Sequence, residues 1–403
     1  MVEKKRILMI IPNLDFGGAQ TSLSRITLLL NPFCIITIVV FNKDNIAPLS
    51  FGGELIDLKV PASRFYLGKA INFIKRVSRL KKIKKRISPH TSISFLEGAD
   101  YVNLLSSQGE RIFFYLHGSK LHDKNIIGVI GFLRKKILIP LFYARASKLL
   151  VVNEKIAEEL RIHFHLAKSA FNVLPNFYDF VEIRRSAIEP LSDVLEKFFR
   201  ESSVICISGR ISPEKGIDRF VRLLPNLFEK HRAAKLVLVG GGPQLEVIKN
   251  ILNQVDVTYQ EITDGSAENV NASVLFLGYR TNPYKFLAKS SLLVLPSLNE
   301  GMPNTIVEAM CLGVPVIAAD CPYGPRELLS TQKIATSFPE YAEYGILAPI
   351  LTSQLVYSDW IEVIDKLLTD SSLRKKYGDA GLARSAEFSQ ERMVGRWKEL
   401  LNI

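Results

Sequence analysis

Cysteine is scarce in this chain of 403 residues, which contains only Cys34, Cys206, Cys311 and Cys321. Their wide spacing excludes a zinc-type ligand set, and their small number excludes a fold held together by disulfides. We therefore expect a protein of a reducing, cytosolic compartment. Apolar residues make up 47% and charged residues 23% of the chain, which excludes an intrinsically disordered protein.

Long uncharged apolar runs are also missing. The apolar start of the chain ends at Pro12, which is too early for a secretion signal. The most apolar later stretch, residues 126–143, is interrupted by Arg134, Lys135 and Lys136, whereas a spanning helix needs about 18 or more uncharged residues. We expect no targeting signal and no membrane-spanning segment.

Acidic residues are absent from one long window, residues 58–96, which carries 11 Lys and Arg. The chain has a net charge of +12, so everything outside this window sums to only +1. Apolar residues recur at near-helical spacing from Leu67 to Ile87, which predicts a basic amphipathic helix. Such a helix suits a membrane surface, and a solvated helix at a domain rim has the same pattern. A nucleic-acid site is disfavoured because only Phe73 interleaves an aromatic ring between Leu67 and Ile87.

Short, continuously apolar segments alternate with helical segments along most of the chain, as in a doubly wound parallel sheet. The predicted strands are residues 7–11, 35–41, 91–96, 112–116, 149–153, 172–174, 204–208, 235–240, 273–277, 292–296 and 314–319. A charged stretch at 182–203 predicts an interdomain connection. The predicted fold class is α/β with two Rossmann-like doubly wound domains, at residues 1–185 and 186–385. A C-terminal helix within 386–403 is expected to pack back toward the first domain.

Two glycine-containing turns follow predicted strands. Gly17 and Gly18 open the first helix, where free amides favour an anion, although a plain tight turn explains the pair equally well. Gly240, Gly241 and Gly242 lack the third glycine of a dinucleotide fingerprint, because Leu245 stands at its position. We interpret the second turn as structural rather than as an NAD site.

The segment after the strand at 204–208 combines Gly209 with two cations, Arg210 and Lys215. Open α/β sheets bind ligands at the carboxyl ends of their strands, and an arginine fork with a lysine charge suits a diphosphate. Two solvated surface cations are the alternative interpretation.

The richest motif runs from Pro296 to Met310 and contains Glu300 and Glu308, eight positions apart. If a helix begins at residue 303 or 304, Glu300 lies in the preceding loop and Glu308 on the second helical turn. Backbone amides between them then adjoin a carboxylate, which can hold hydroxyl and phosphate groups together. The residues concerned are Gly301, Met302, Asn304 and Thr305. An ordinary loop acid and an ordinary helix acid are the alternative.

In combination these motifs resemble those of the family-4 glycosyltransferases of the GT-B fold, over nearly the whole chain. The Glu-x7-Glu motif stands as Glu300 and Glu308, and the Gly-Arg…Lys-Gly motif as Gly209, Arg210, Lys215 and Gly216. The N-terminal glycine loop is Gly17 and Gly18, and residues 173–176 are similar to the stretch that crosses between the domains. The resemblance implies two Rossmann-like domains that face each other across a cleft. The first would bind the acceptor and the second the nucleotide sugar.

The resemblance also implies roles for individual residues. Arg210 and Lys215 would neutralise the diphosphate leaving group, Glu300 would contact the donor sugar, and Glu308 would hold the ribose hydroxyls. Gly18 would approach the phosphates or the acceptor, and His117 would face the donor sugar. No metal or other cofactor is expected, since the chain has no Asp-x-Asp motif and the two cations can replace the metal. The sugar would be transferred with retention of configuration.

Residues 320–327 are similar to a form found in enzymes of bacterial surface polysaccharides, which implies a UDP-hexose or UDP-N-acetylhexosamine donor. Together with the basic segment at 67–87, this implies a lipid-linked or saccharide acceptor, as in lipopolysaccharide assembly. We expect a peripheral protein on the inner face of the cytoplasmic membrane. The alternatives are a nucleotide-sugar hydrolase or epimerase of the same fold, a non-catalytic partner-binding subunit, and a basic nucleic-acid-binding protein.

Overall fold

The computed structural model describes residues 4–15, 17–43, 49–121, 128–262 and 269–403. Phe16 of the first glycine turn and the start of the 126–143 stretch lie outside these residues. The chain forms two compact units. Unit 1 comprises residues 1–177 and 390–403, and unit 2 comprises residues 178–389.

Unit 1 contains a seven-stranded parallel sheet in the order β3-β2-β1-β4-β5-β6-β7. Its strands are β1 Arg6–Ile11, β2 Ile35–Val40, β3 Glu54–Asp57, β4 Thr91–Phe95, β5 Arg111–Leu116, β6 Lys148–Val151 and β7 Phe171–Val173. Its helices are α1 Gly18–Leu30, α2 Tyr66–Ile87, α3 Glu97–Leu105, α4 Gly128–Leu133, α5 Ile139–Tyr143 and α6 Glu154–Phe164, with a π-helical turn Arg134–Leu138 between α4 and α5. The strand order reverses between β1 and β4, which is the position where such sheets bind ligands.

Unit 2 begins with two helices and continues with an eight-stranded sheet in the order β10-β11-β9-β8-β12-β13-β15-β14. Its strands are β8 Ser203–Ser208, β9 Ala234–Val239, β10 Tyr259–Glu261, β11 Val274–Gly278, β12 Leu292–Leu295, β13 Val316–Ala319, β14 Glu340–Tyr341 and β15 Ile346–Ala348. Its helices are α7 Phe180–Ala187, α8 Asp193–Glu201, α9 Ile217–Phe220, α10 Leu224–Lys230, α11 Leu245–Gln254, α12 Tyr284–Leu287, α13 Asn304–Cys311, α14 Pro325–Leu329, α15 Tyr357–Thr369 and α16 Ser371–Ser385. Every strand pairs in parallel except β14.

Strand β8 shows why the sequence reads as an uninterrupted apolar run. Ile205 and Ile207 enter the hydrophobic cluster on one face of the sheet. Val204 and Cys206 enter the cluster on the other face. Because both faces are covered, neither set of alternating side chains meets water, and every position favours an apolar residue. The predicted α/β class with two doubly wound units is confirmed.

The predicted connection at 182–203 is wrong, because the structure has helices α7 and α8 there. Each helix has an apolar stripe, which includes Ile183 on α7 and Phe198 and Phe199 on α8, buried in the core of unit 2. Charged residues occupy the other faces and hide the helical pattern in the composition. The change of unit accordingly falls after Phe177, eight residues before the expected boundary.

The last helix, α17 Gln390–Leu401, belongs to unit 1 although unit 2 precedes it. The ring of Trp397 is fully buried and meets Tyr115 of β5 edge to face, with 5.8 Å between the ring centroids. Arg111 also donates from Nη2 to the carbonyl of Leu400 at 3.0 Å. These contacts tie the end of the chain to the central part of the first sheet.

Helix α2 covers the predicted basic segment, but one of its cations is not on the surface. Lys84 is fully buried, donates to the carbonyl and to Oδ1 of Asn103 at 2.7 and 2.6 Å, and pairs with Glu110 at 2.5 Å. Burial lowers the pKa of Lys84 to about 8, against the opposing effect of Glu110. Lys84 is therefore a structural residue, and the surface charge of the basic segment is smaller than its composition suggests.

Candidate functional site

The carboxyl ends of the strands in unit 2 bring the sequence-predicted carboxylate and lysine together. Lys215 Nζ lies 2.7 Å from Glu300 Oε1, and Ser297 Oγ donates to the same oxygen at 2.6 Å. The Glu300 side chain is 8% exposed and that of Lys215 24% exposed. A partly exposed cation joined to a buried carboxylate forms a charged site that is still accessible to a ligand.

The loops that carry this pair are fixed to one another by backbone bonds. The amide of Leu298, after β12, donates to the carbonyl of Glu214, after β8, at 2.8 Å. Gly216 has a φ of +63°, and a Cβ there would lie 2.3 Å from the carbonyl oxygen of Pro296. A side chain would therefore force the two loops apart. Glycine at 216 lets the loop with Lys215 approach the loop with Glu300.

Helix α13 begins at Asn304, within the range that the motif predicted. Glu308 consequently lies on its second turn and is buried. The first-turn amides of a helix lack intrahelical acceptors and attract anions. Tyr178 donates from its hydroxyl to Asn304 Oδ1 at 2.7 Å and so orients the first side chain of the helix.

The remaining predicted residues of unit 2 lie in the same two loops and at the start of α13. Arg210 and Gly209 are exposed at the end of β8, and Gly209 has a φ of +138°. Gly301, Met302 and Thr305 are half-buried in the loop and first turn before Glu308. Among the residues that the structure describes, no three His, Cys, Asp or Glu side chains are grouped so that they could hold a metal ion.

The turn at Gly240–Gly242 has the structural role expected from its sequence. Gly240 has a φ of +145°, and a Cβ there would lie 1.9 Å from the carbonyl oxygen of Gly209. Gly241 has open space around it, with nothing within 4 Å of an added Cβ. The glycine at 240 lets β9 end directly beside the loop that carries Arg210.

We predict that Gly240→Ala destabilises unit 2 by at least about 2–3 kcal/mol, since both the positive φ and the backbone overlap oppose a side chain. Gly241→Ala is the matched control and is expected to stay within about 0.5 kcal/mol of the parent protein. Urea unfolding of the two variants measures the difference. Equal stabilities would show that the contact between Gly240 and Gly209 does not constrain the fold.

Unit 1 holds the other predicted site residues at the ends of β1 and β5. Gly17 has an extended backbone and precedes α1, while Gly18 is exposed as its first residue. His117 follows β5, and its ring lies 4.3 Å from the ring of Tyr115 and 5.8 Å from that of Phe95, between centroids. Its Nε2 is buried and, within the described residues, has no hydrogen-bond partner.

The environment of His117 fixes its protonation state. Burial lowers the pKa of His117 to about 3, and Lys120 contributes in the same direction. The imidazole is therefore neutral at physiological pH and offers a nitrogen to a polar ligand. The following loop is held by Glu159, which accepts from the amides of Lys120 and Leu121 at 2.7 and 3.1 Å.

Sequence reasoning missed several residues that organise these sites. Ser297 acts through a hydrogen bond to Glu300, three residues away, whereas Tyr178 and Glu159 act through hydrogen bonds to partners far along the chain. A serine directly before the Glu300 loop is the one available signal for Ser297. The partners of Tyr178 and Glu159 are 126 and 39 residues away, so the local sequence does not predict these contacts.

The surface of α2 combines large apolar side chains with cations. The exposed apolar residues are Phe65 at 80%, Tyr66 at 77%, Leu67 at 76%, Ile71 at 45% and Ile74 at 66% exposure. Lys81, Lys82 and Lys85 are exposed further along the helix. Exposed apolar residues this large and this close together mark a binding surface. Within the described residues, no helix is both long enough and apolar enough to span a membrane.

Comparison with known proteins identifies the catalytic class. Residues 202–353 match the family described as "Glycosyl transferases group 1". The chain is 28% identical over 350 residues to an uncharacterized glycosyltransferase of Methanocaldococcus jannaschii, with 81% of this chain and 83% of the relative covered. It is 23% identical to the N-acetylgalactosamine-N,N'-diacetylbacillosaminyl-diphospho-undecaprenol 4-alpha-N-acetylgalactosaminyltransferase of Campylobacter jejuni, over 78% of this chain and 77% of the relative.

Solved structures agree on the fold. HepE of Anabaena, crystallised with UDP and glucose, superimposes with a TM-score of 0.73 at 18% identity over 99% of both chains. WaaG, a glycosyltransferase involved in lipopolysaccharide biosynthesis, gives 0.68 at 17% identity over 98% of this chain and 99% of its own. The predicted resemblance is thus confirmed for the fold and for the enzyme class. The chain is a glycosyltransferase with the GT-B fold, and its residues 202–353 match the group 1 glycosyl transferases.

Proposed function

We propose that this glycosyltransferase moves a hexosyl or N-acetylhexosaminyl group, with retention of configuration, from a UDP-sugar to a lipid-linked or saccharide acceptor of a bacterial surface glycan. The observation that carries the proposal is the ion pair between Lys215 and Glu300, whose loops also carry Arg210 and lead into α13. This arrangement offers positive charge for a diphosphate next to a carboxylate for sugar hydroxyls.

The chemistry follows from where charge develops. As the bond between the sugar and the diphosphate breaks, negative charge grows on the leaving phosphate oxygen. Arg210, Lys215 and the first amides of α13 stabilise that charge, and fixed donors of this kind commonly supply several kcal/mol in enzymes. With these groups in place, the proposed reaction is metal-independent and uses no cofactor.

The carboxylates hold hydroxyl groups in this scheme. Within the described residues, both hydrogen bonds of Glu300 converge on Oε1, so Oε2 is available to a donor-sugar hydroxyl. Glu308 accepts from the ribose hydroxyls, and the backbone at Gly301, Met302 and Thr305 contacts the donor. His117 is neutral, and its Nε2 has no hydrogen-bond partner in the part of the chain that the structure describes, so in this scheme it bonds to a sugar hydroxyl. Gly17 and Gly18 admit phosphate or acceptor atoms close to the backbone.

The acceptor and its location are proposed from α2. Exposed Phe65, Tyr66 and Leu67 can enter the interfacial layer of a bilayer, while Lys81 and Lys82 meet anionic headgroups. The Campylobacter relative acts, by its name, on a diphospho-undecaprenol-linked sugar. We therefore place the enzyme on the inner face of the cytoplasmic membrane, where a lipid-linked acceptor is presented to it.

The donor is tested by thermal shift and product analysis. UDP and UDP-sugars are expected to raise Tm, because a ligand that binds only the native state stabilises it. GDP- and ADP-sugars are expected to give smaller shifts. Incubation with a labelled UDP-sugar and membrane lipid extract should give a product with the donor's anomeric configuration. Release of free sugar alone would instead identify a hydrolase.

The membrane surface is tested by sedimentation with vesicles of phosphatidylglycerol and phosphatidylcholine. Lys81→Glu with Lys82→Glu is expected to weaken binding about tenfold or more, at about 1 kcal/mol for each charge near an anionic surface. Lys375→Glu with Lys376→Glu, an exposed lysine pair on α16, is the matched control. Lys84 is left unchanged because it is buried. If vesicle binding does not depend on the phosphatidylglycerol content and is the same in both double variants, the proposed membrane surface is excluded.

A further inference from the structure

A second stretch of unit 1 repeats the composition of the α2 surface. Residues 128–153 contain no Asp or Glu and five Lys or Arg. In the structure the first part of this stretch is the helical segment α4–π–α5, residues 128–143. Its exposed apolar side chains are Phe132 at 62%, Leu133 at 44%, Ile137 at 52%, Leu138 at 40% and Leu141 at 45% exposure. Lys136 and Arg145 are exposed beside them.

The π-helical turn gathers these side chains on one face. Its hydrogen bonds span five residues, which brings side chains five positions apart onto the same side. Phe132 with Ile137, and Leu133 with Leu138, have this spacing. Arg134, Ile139 and Tyr143 are buried on the opposite side. The exposed face is thus a feature of the helix geometry rather than a scatter of single residues.

The segment lies on the same face of the sheet as α2. Leu80 of α2 and Val102 of α3 share one hydrophobic cluster with β1. The segment packs on α3 in turn, because Tyr143 donates to Asp100 Oδ2 at 2.9 Å. The ring of Phe142 also meets that of Tyr101 at 5.1 Å between centroids. The crossovers from β3 to β4, from β4 to β5 and from β5 to β6 all run in one direction across the sheet. Because such crossovers are right-handed, their helices lie on one face.

Arg134 links this segment to the ends of the strands. Its Nε donates to Glu97 Oε1 at 2.5 Å, and its Nη2 donates to Glu97 Oε2. Lys120 Nζ lies 3.4 Å from the same carboxylate. Burial alone would raise the pKa of Glu97, but the hydrogen bonds from Arg134 and the charge of Lys120 lower it to about 2. Glu97 is the first residue of α3 and stands two positions after Phe95, the last residue of β4, whose ring stacks on that of His117. The segment is thus fixed to the carboxyl edge of the sheet near His117.

We propose that the exposed face of α4–π–α5 is a second bilayer contact, which docks on the same anionic membrane as α2. This inference rests on the proposed membrane function of α2. One helix on a surface leaves rotation about its own axis free, whereas two contacts on one face of a sheet fix that rotation. The strand ends that carry His117 would then be held at a set height above the lipid headgroups.

A bilayer fits this surface better than a second copy of the chain. In a symmetric dimer the same patch would face itself and bring Lys136 and Arg145 close to their own copies. The repulsion between these like charges would disfavour the dimer. An anionic membrane accepts the apolar side chains and attracts the cations at once. The surface also has the same apolar-and-cationic character as α2 on the same face of the sheet.

The test uses single-cysteine labelling, which is selective because the four native cysteines are all buried. Ile137→Cys and Ile71→Cys are each labelled with an environment-sensitive fluorophore and mixed with phosphatidylglycerol vesicles. Both labels are expected to shift to the blue and to be quenched by brominated acyl chains. Leu355→Cys, at an exposed site of unit 2, is the control that should not respond.

A second measurement uses Phe132→Ser with Ile137→Ser, which replaces exposed side chains and should leave the Tm and its shift with UDP unchanged. Vesicle binding is expected to fall about tenfold, as loss of two inserted apolar side chains implies. A response at Ile71 without one at Ile137 would overturn this proposal and leave the α2 surface intact. No change in fluorescence at either Ile71→Cys or Ile137→Cys would overturn both proposals. A concentration-dependent dimer lost in the serine variant would identify the patch as a self-interface and overturn the bilayer contact.

Discussion

Replacing Lys215 by alanine is expected to lower turnover by about 10²–10³-fold while leaving the fold intact. Removing one fixed donor from a site of developing charge commonly costs this much, about 3–4 kcal/mol in the barrier. In this chain the loss has a second source, because Lys215 also holds Glu300 Oε1 at 2.7 Å. In the proposed site, the substitution removes a cation from the diphosphate and leaves a carboxylate that repels it. Arg210→Ala is expected to act in the same direction through the diphosphate alone.

The matched control for Lys215→Ala is Lys289→Ala. Lys289 lies in the same unit and pairs with Glu196 at 2.9 Å, with 33% and 36% of the two side chains exposed. Ion pairs with this exposure contribute about 0–1 kcal/mol to stability, so this variant should keep normal turnover. Initial rates at saturating donor, with circular dichroism as the folding check, separate the cases. Normal turnover in both Arg210→Ala and Lys215→Ala would remove the diphosphate assignment.

Much of the fold is predictable because buried parallel strands carry an unmistakable signature. Strands such as β1 and β8 meet side chains on both faces and are apolar throughout, which gave their positions to within a residue or two. Strand β3 is short and half-buried, with charged residues at both ends, and β14 has only two residues. In neither strand is the alternation of apolar and polar residues long enough to distinguish it from a turn. Helices α7 and α8 escape prediction because their charged faces dominate the composition of the segment.

The candidate site was predictable as a set of residues but not as an arrangement. Glu300 and Glu308 were located by their spacing around a helix start, which is a local property. The pairing of Lys215 with Glu300 joins residues 85 apart and depends on how close the loops of β8 and β12 approach. For Lys84 the sequence predicts a surface cation, and the structure buries it. Its burial depends on Asn103 and Glu110, which the helical spacing of apolar residues does not reveal.

Glu300→Gln is the second variant with a large expected effect, a fall in turnover of about 10²-fold. Glutamine keeps the shape of the side chain and can still accept from Ser297. It carries no charge, so it binds Lys215 and a developing positive charge on the sugar less strongly. Nucleotide affinity should change much less, because the neutral amide leaves Arg210 and the amides of α13 in place. Turnover together with the dissociation constant of UDP measures both effects.

Glu214→Gln is the control, since Glu214 precedes Lys215 in the same loop and its side chain is exposed. It is expected to leave turnover unchanged. The double variant Lys215→Ala with Glu300→Gln then decides whether the two residues act as a pair. Groups in direct contact couple, so the double variant should lose much less than the product of the single losses. Strictly multiplicative losses would show that Lys215 and Glu300 act independently, the lysine on the diphosphate and the carboxylate on the sugar.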